Sequence, residues 1–363
     1  MSPYGLSRFG GVRSHIRGLG EALAARGHQV TVIAPGDADV PPASTLGSLP
    51  VIRCGTVRTI DFSGTRIDLA WARSAERRAA LAVDFDVLHL HTPWNPAIPM
   101  QLAMAYRGAR VATFHDVPGE ATPLWARQLM PVGATLIRRL LLDATIGVSP
   151  AVSTYLGKGT HVVIPNGVEE PPPETPRTSH EAPVVYLGRL EARKDVHTLL
   201  TAMAIVQATG PNETPPVVIA GEGPLRGTLE AQAQTLGLRR VTFCGAIDEA
   251  DKWALLRTAR CVVAPSRAGE SFGIILLEAM RAGSVPIAAD NPGYRHVLEG
   301  AAEALCFAPG DADALARLII RAVRDDGWME TMRRWSANHW PRFTWSEVAT
   351  AVEAVYEQAL SRR

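Results

Sequence analysis

A chain of 363 residues is longer than one ordinary core, so two domains are expected. With 47% hydrophobic and 20% charged residues it reads as a folded globular protein, not a disordered one. A net charge of +1 argues against a nucleic-acid partner held by bulk electrostatics.

The chain opens with Ser2-Pro3-Tyr4-Gly5 and Gly10-Gly11, which read as a loop leaving a strand, yet no strand comes before it. A doubly wound sheet carries its central first strand at that place. Either the start lies upstream or the domain lacks a strand, at a cost to the sheet's centre. Apolar Ile16, Leu19 and Leu23 predict a helix over residues 12–26 that stops at Gly27. A strand over 29–34, a helix over 69–82, a strand over 86–91 and a helix over 97–106 follow. A strand over 110–115, a helix over 124–142 and a strand over 145–148 complete the first half. This alternation predicts a mostly parallel sheet with helices on both faces.

Residues 165–177 are too rich in proline for helix or inner strand and mark a domain boundary. Strands over 183–187, 217–220, 241–244, 261–264 and 285–288 then alternate with helices over 195–207, 225–236, 250–258, 274–282 and 312–325. A last helix, 344–360, opens on Thr344-Trp345-Ser346-Glu347, an N-cap sequence. The expected fold is α/β, two Rossmann-like domains facing one another across a cleft. Cys54, Cys244, Cys261 and Cys306 are scattered without a C-x-x-C pair, which points to a reducing, cytoplasmic compartment and no structural zinc. No apolar run approaches the ~20 residues that cross a bilayer, and no secretory leader is read at the N-terminus.

The chemistry concentrates at Glu270-Ser271-Phe272-Gly273-Ile274 and, four residues on, Glu278. Glu270 is placed in a loop after a buried strand, and Glu278 on the second turn of the next helix. Between them the free amides of a helix N-terminus make an anion site. A carboxylate for sugar hydroxyls, amides for a diphosphate and a second carboxylate for a ribose describe a nucleotide-sugar pocket. Arg189, Arg193 and Lys194 follow another strand and precede a helix, a place suited to diphosphate; a solvated basic turn neutralised by Glu191 is the competing reading. Gly10-Gly11 would bring backbone amides to the same phosphates, whereas the Gly221–Leu225 stretch reads as a structural turn. His89 and His91 end one strand and His115 another, at the sheet edge where α/β folds hold ligands. His115 is the substrate-facing one of these, and no metal site is read. The Asp-x-Asp pairs at Asp37/Asp39, Asp84/Asp86 and Asp311/Asp313 are read as accidents of loop and strand entry.

Taken together, Gly10-Gly11, the His115 strand, Pro165-Asn166-Gly167-Val168, Gly188-Arg189 with Lys194, and Glu270 with Glu278 resemble glycosyltransferase family 4 of the GT-B fold. Residues 2–15, 84–91 and 269–274 look most like the phosphatidyl-myo-inositol mannosyltransferases. The resemblance implies an N-terminal acceptor domain (1–167), a C-terminal donor domain (168–343) and a closing helix (344–363) that crosses back to the N-terminal domain. It implies that Arg189, Lys194 and Gly11 bind the donor diphosphate, that Glu270 binds the donor sugar, and that Ser271, Phe272, Gly273 and Ile274 line the donor site, the amides of the last three holding sugar and phosphate oxygens. Glu278 would hold the ribose, Ile247 and Glu249 would meet the base, His115 would contact the transferred sugar, and Tyr4 would line the acceptor pocket. A carboxylate at Glu249 favours guanine, hence GDP-mannose over a UDP-sugar. The implied reaction is retaining and needs no metal or other cofactor, with the leaving phosphate taking the acceptor's proton. The Gly188–Lys194 loop is one residue shorter than in those mannosyltransferases.

Two rival readings stay open: a sugar-nucleotide epimerase, which would form product without acceptor, and a nucleotide-sugar-binding protein without turnover. The acceptor is a lipid such as phosphatidylinositol or a saccharide. Arg73, Arg77 and Arg78 beside Trp71 on the 69–82 helix read either as a solvated face or, as a lipid-linked acceptor would need, as a basic face for anionic lipid at the inner face of the plasma membrane.

Overall fold

In the computed structural model, which describes residues 1–6, 10–36, 45–62, 65–93, 98–117, 124–157, 161–170, 182–210 and 213–363, the chain divides into two units. Unit 1 is Met1–Gly167 with Phe343–Arg363; unit 2 is Val168–Arg342. Asp37, Asp39, Ala97 and the linker stretch 171–177 lie outside the described residues.

Unit 1 starts from helix α1 (Gly11–Ala25), which buries Ile16, Leu19 and Leu23, the stripe that its sequence spaces for one face. The helix ends where Gly27 takes φ +97°, a left-handed value that a side chain resists. Strand β1 (Val32–Gly36) pairs in parallel with the long β3 (Leu49–Phe62), while β2 (Thr45–Leu46) and β4 (Thr65–Trp71) pair antiparallel to β3. A helix over 69–82 is therefore not what forms. Thr65 to Trp71 is spent in a hairpin from Phe62↔Thr65 to Thr56↔Trp71, and only α2 (Ser74–Ala80) is helical. The backbone N–H of Arg73 donates to Glu76 Oε2 at 2.6 Å and caps it. Trp71 thus stands on a strand, and Arg77 turns back to donate to the Ala72 carbonyl at 2.9 Å, so the basic helical face expected there is not assembled.

The rest of unit 1 alternates β5 (Val87–His91), α3 (Ile98–Ala105), β6 (Ala109–Phe114), α4 (Leu124–Leu141), β7 (Ala144–Gly147), α5 (Pro150–Ser153) and β8 (Val162–Val163). The four strands form a parallel sheet in the order β5-β6-β7-β8. Met1 and Ser2 lie between its open edge and that of β1: the Met1 amine donates to the His89 carbonyl at 2.7 Å, the His91 amide to the Met1 carbonyl at 3.2 Å, and the Ser2 amide to the Ile33 carbonyl at 2.8 Å.

The closing helix Trp345–Ser361 belongs to unit 1, where Val348, Val352 and Val355 pack with Leu19 and Leu23 of α1, Val111 of β6 and Ile146 of β7. Thr344 is its N-cap, accepting from the Glu347 amide. The Trp345 ring fills the space over two glycines: a Cβ on Gly18 would meet Trp345 Cε2 at 2.1 Å, and one on Gly167 would meet Cδ2 at 2.3 Å.

Unit 2 runs β9 (Val184–Leu187), α6 (Val196–Thr209), β10 (Val217–Ala220), α7 (Arg226–Thr235), β11 (Val241–Gly245), α8 (Glu249–Thr258), β12 (Cys261–Ala264), α9 (Ile274–Arg281) and β13 (Val285–Ala289). Then come α10 (Pro292–Val297), α11 (Ala302–Leu305), β14 (Cys306–Phe307), α12 (Ala312–Arg324) and α13 (Asp326–His339). The sheet order is β11-β10-β9-β12-β13-β14 with every pair parallel. Chain order thus runs outward in both directions from β9, the doubly wound pattern. Helix α13 went unread in the sequence although Trp328, Met329, Met332 and Ser336 bury one face of it, and Asp325 accepts from the Trp328 amide at 2.8 Å as its cap.

Because the indole leaves no room above it, Gly18→Ala should overpack the α1–closing-helix contact and cost unit 1 about 1–3 kcal/mol. Thermal unfolding checks this: a fall in Tm of several degrees is expected, whereas Gly10→Ala, beside open space at the start of α1, serves as a control that the contact does not reach.

Candidate functional site

In unit 2, β9 and β12 are neighbours whose following connections leave in opposite directions, so the carboxyl ends of these strands open the switch point where such sheets hold ligands. The loop after β9 carries Arg189, one 3₁₀ turn (Ala192–Lys194) and then Asp195 in the left-handed region at φ 49°. A non-glycine residue keeps that conformation only when its surroundings insist. Here the Asp195 carboxylate accepts from Thr198 Oγ1 at 2.6 Å and from Arg267 Nε at 2.7 Å, while the Arg267 amide donates to the Arg193 carbonyl at 3.0 Å. Arg267 belongs to the loop after β12, so these bonds lock the two loops together.

Glu270, in that second loop, is the hub. Its Oε1 accepts from Arg193 Nη1 at 2.8 Å and from Lys194 Nζ at 2.7 Å. Glu191 takes the other edge of Arg193 at 2.7 Å and reaches Arg189 at 3.3 Å. Arg189 is 64% exposed, the most accessible cation of the network, whereas Lys194 and Glu270 are largely covered. The basic turn therefore has the acidic partner that its sequence offers, and it is also wired to Glu270.

Behind Glu270, Ser271 is half-buried and Phe272 buried, and Gly273 at φ +106° begins α9. Gly293 of α10 presses on this loop so closely that a Cβ there would meet the Glu270 carbonyl oxygen at 2.3 Å. In the first turn of α9 the Leu276 amide bonds the Gly273 carbonyl at 3.0 Å, while those of Ile274 and Ile275 have no carbonyl of their own helix to bond. One turn further on, buried Glu278 accepts from Lys252 Nζ at 2.7 Å, and Lys252 also bonds Glu249 at 2.7 Å. Burial pushes the Glu278 carboxyl above its usual range, with the Lys252 ammonium pulling it back. Glu249 is the first residue of α8 and exposed, and Ile247 is half-buried in the turn before it. Gly221, at φ +137°, lies so near the Gly188 carbonyl that a Cβ would meet it at 1.9 Å, which explains that glycine turn by packing.

In unit 1, Gly11 is the first residue of α1, and Tyr4 sits in the preceding turn, its amide donating to Ser2 Oγ at 3.3 Å. His115 follows β6 and is buried with His91 and His15: His91 Nδ1 and His115 Nε2 are 2.9 Å apart, and His15 Nδ1 lies 2.8 Å from Asn166 Oδ1. His89 is held between Tyr356 and Thr113, each at 2.7 Å. Burial lowers His15 to about 4, and lowers His89, His91 and His115 well below the usual imidazole value. The four rings are therefore neutral near pH 7, and His15 Nε2 is a buried nitrogen without a hydrogen-bond partner. The nitrogens of His15, His91 and His115 lie within 4.8 Å of one another, so of the described residues this is the trio with the donors to hold a metal ion. No carboxylate joins it, and the His91–His115 contact already engages two of the nitrogens.

The structure thus joins Arg189, Lys194 and Glu270 in one network, and Glu249 with Glu278 in a second through Lys252. Gly11, Tyr4 and His115 belong to the other unit. Lys252 was not singled out in the sequence, and Arg193, His15 and Asn166 were read there only within their motifs, with no role of their own. Arg193 was visible as the third cation of its turn, and Lys252 three residues after Glu249 shares its helix face.

Residues 169–339 match the family model for glycosyl transferases group 1, and residues 9–170 the model for glycosyltransferase family 4. The chain is 34% identical to a phosphatidyl-myo-inositol mannosyltransferase of Mycobacterium leprae, over 98% of this chain and 95% of that one. It is 31% identical to a glycogen synthase of Mycobacterium tuberculosis, over 96% and 91%. Among solved structures, sucrose-phosphate synthase from Thermosynechococcus elongatus superposes with a TM-score of 0.76 at 24% identity, covering 98% of this chain and 94% of that one. Anabaena HepE in complex with UDP and glucose gives 0.72 at 20% identity, covering 96% of each. The fold is GT-B, and the protein is a glycosyltransferase of the hexosyltransferase class. The chain belongs to glycosyltransferase family 4, and it is similar over its whole length to phosphatidyl-myo-inositol mannosyltransferases.

The histidine group sets a pH dependence. A buried imidazole whose pKa is depressed on folding contributes stability that is complete above its unfolded value, near 6.5, and lost as pH falls through the folded value. For His15 the window is about 6.5 down to about 4, worth about 3 kcal/mol by its lower end. Thermal melts from pH 7.5 to 4.5 should show unit 1 losing stability across this range, and His15→Gln should flatten the fall.

Proposed function

We propose that the enzyme transfers a hexose, mannose for preference, from a nucleoside-diphosphate sugar to an acceptor hydroxyl with retention at the anomeric carbon, and that it needs no metal. The Glu270 carboxylate held by Arg193 and Lys194 at the switch point carries this reading. An incoming diphosphate offers these loops more negative charge than Glu270 does. Arg189 would fork onto its oxygens, Lys194 would supply a point charge, and the α9 amides would face the same anion. Released from part of that pairing, Glu270 would accept from sugar hydroxyls. Glu278 would take the ribose hydroxyls, and Glu249 beside Ile247 would accept from a guanine edge, which favours GDP-mannose over a UDP-sugar.

In the reaction the bond from the anomeric carbon to the diphosphate oxygen breaks, and the acceptor oxygen bonds to the same face of that carbon. The acceptor's proton passes to the departing phosphate oxygen. Cations aimed at that phosphate act where charge develops, which is the stabilisation that matters. His115, neutral, suits a hydrogen bond to the transferred sugar better than a charged contact. Gly11 would bring its backbone to the diphosphate, and Tyr4 would line the acceptor pocket. The acceptor we favour is a lipid such as phosphatidylinositol, as the name of the Mycobacterium leprae relative indicates for that protein.

A lipid acceptor calls for peripheral contact with the inner face of the plasma membrane. No described helix is long and apolar enough to cross a membrane. In place of α2, helix α4 supports such contact: Leu129, Val132, Leu136 and Leu140 are exposed at i, i+3, i+7 and i+11, one face of the helix. Its charged residues are Arg127, Arg138 and Arg139, without an acid, which suits an anionic surface.

Purified protein incubated with GDP-mannose or a UDP-sugar, with and without phosphatidylinositol and in EDTA, should form a glycosylated lipid of unchanged anomeric configuration only when donor and acceptor are both present. Product without acceptor would mean an epimerase, and binding without product a carrier. Lys194→Ala should weaken GDP binding by about 1.5–3 kcal/mol, and the more exposed Arg189→Ala by less; calorimetry that finds neither changed removes the phosphate assignment.

For the membrane, Leu136→Glu with Leu140→Glu should lower co-sedimentation with anionic liposomes about tenfold or more, while Arg78→Ala should leave it nearly unchanged. Negligible binding of the unaltered protein to both anionic and neutral vesicles would favour a soluble acceptor.

A further inference from the structure

Three buried imidazoles of unit 1 converge from separate elements: His15 from α1, His91 from the last place of β5, and His115 from the residue after β6. Strands β5 and β6 pair in parallel with His91 opposite Thr113, which brings His115, two residues on, to the same side of the sheet. The three ring centroids stand 4.6, 5.2 and 5.3 Å apart, close to an equilateral triangle. In a tetrahedral site a metal–nitrogen bond of about 2.0–2.1 Å plus the reach to the ring centre puts such centroids about 5 Å apart. The rings are therefore at coordination spacing, and what remains is ring rotation. Tetrahedral ligand atoms sit about 3.3 Å apart, whereas the His91 and His115 nitrogens stand at 2.9 Å and the trio spans no more than 4.8 Å.

The placement of protons fits the same purpose. Asn166 Oδ1 can only accept, so His15 Nδ1, 2.8 Å away, carries that ring's proton and Nε2 carries a lone pair. That Nε2 is buried and has no hydrogen-bond partner, whereas buried polar atoms with a purely structural role are paired. A ring whose far N–H is held by an oxygen is what a metal-binding histidine presents. His91 and His115 share one N–H between them. Moving it to the far nitrogen of its own ring frees both lone pairs, a change of tautomer in which no proton leaves. His89, stacked on His91 at 4.5 Å and held by Tyr356 and Thr113, backs that ring.

We propose that His15, His91 and His115 bind a transition-metal dication of the zinc class, with water in the fourth place, and that the bound ion inhibits transfer. Three imidazoles without a carboxylate suit Zn²⁺ or Co²⁺ and offer nothing to Mg²⁺ or Ca²⁺, which take oxygen ligands. The inhibition rests on the proposed transfer reaction, in which His115 meets the sugar: an ion on the His115 nitrogen competes with that contact. The metal site itself does not depend on that reading.

The full chain, stripped with EDTA and desalted, is titrated with Co²⁺ and with Zn²⁺. Bound Co²⁺ should show the visible bands of a tetrahedral, nitrogen-ligated ion, which Zn²⁺ should abolish and Mg²⁺ and Ca²⁺ should not. Competition with a chromophoric chelator should give a Kd for Zn²⁺ that rises at least about tenfold in His15→Gln and in His91→Gln. His28→Gln, which removes an exposed imidazole, should leave it unchanged. Asn166→Asp should tighten binding about tenfold, because a carboxylate on the far N–H raises the basicity of His15, a gain that a merely structural Asn166 would not give. Melting without metal shows which variants are folded; if neither histidine variant folds, the cobalt spectrum and the Asn166→Asp gain decide. An octahedral, oxygen-ligated cobalt spectrum would overturn the site, as would Zn²⁺ affinity retained in folded His15→Gln and His91→Gln. In the transfer assay, Zn²⁺ at about ten times its Kd should lower the rate about tenfold, with EDTA restoring it. Zinc bound by the trio with transfer undiminished would overturn the inhibition. A chain that transfers nothing under any condition would fail the transfer reading, and the binding data would then decide the metal site by themselves.

Discussion

Glu270 can hold two cations on one oxygen only because the loops after β9 and β12 arrive side by side, and that adjacency is a property of sheet order. Strand β9 is central, its connections run one way and those of β12 the other, and the two loops are left facing each other. The Asp195–Arg267 pair at 2.7 Å then keeps the loops in register from behind, at the expense of a left-handed backbone at Asp195. On the proposed reading, a carboxylate clamped by an arginine and a lysine would be a resting state that an anion exchanges into. The charge is already gathered and the loops already ordered, so on that reading little reorganisation would be left for the moment of reaction. Lys252 repeats the device on a smaller scale for Glu278, whose burial alone would favour the protonated acid.

The histidine group of unit 1 follows the opposite principle. Four imidazoles within one small volume cannot all carry charge, and burial removes it from each. What remains is a set of neutral donors and acceptors whose orientations are fixed by Asn166, Thr113 and Tyr356. Tyr356 reaches His89 from the closing helix, so the last residues of the chain help orient a group assembled from its first third. The Trp345 ring, seated over Gly18 and Gly167, makes that long-range arrangement a packing requirement as well as a hydrogen-bonding one.

Much of this was legible in the residues. The period of α1, the buried strands of unit 2, and Glu270 and Glu278 bracketing a helix start are local signals, and local signals survive folding. The β3–β4 hairpin was hidden because residues 69–82 are rich in alanine and arginine, good helix formers, while Thr65 to Trp71 gains more from pairing with β3 than a helix would return. The pairing of Arg193 with Glu270 and of Lys252 with Glu278 was hidden for a different reason. Each finds its partner 77 and 26 residues away, and such a distance is bridged by sheet order, which pattern reading does not reach. His15 combines both difficulties, since it is the one polar side chain on the buried face of α1 and its meaning depends on Asn166, 151 residues later.

The strand edges connect these parts. Strand β5 carries His89 and His91, and its backbone on one side is held by β6. On the other side, among the described residues, it is held by Met1, through the His89 carbonyl and the His91 amide. The two histidines whose side chains meet the buried group are therefore the same two whose main chain depends on that single contact. Any change in how firmly β5 is paired must reach the imidazoles, because rings packed at 4.5 Å from one another, as His89 and His91 are, leave no slack to absorb a shift. Order at the edge of β5 and order at the histidines are for that reason one property of the fold, and stiffening the first is the direct physical route to sharpening the second.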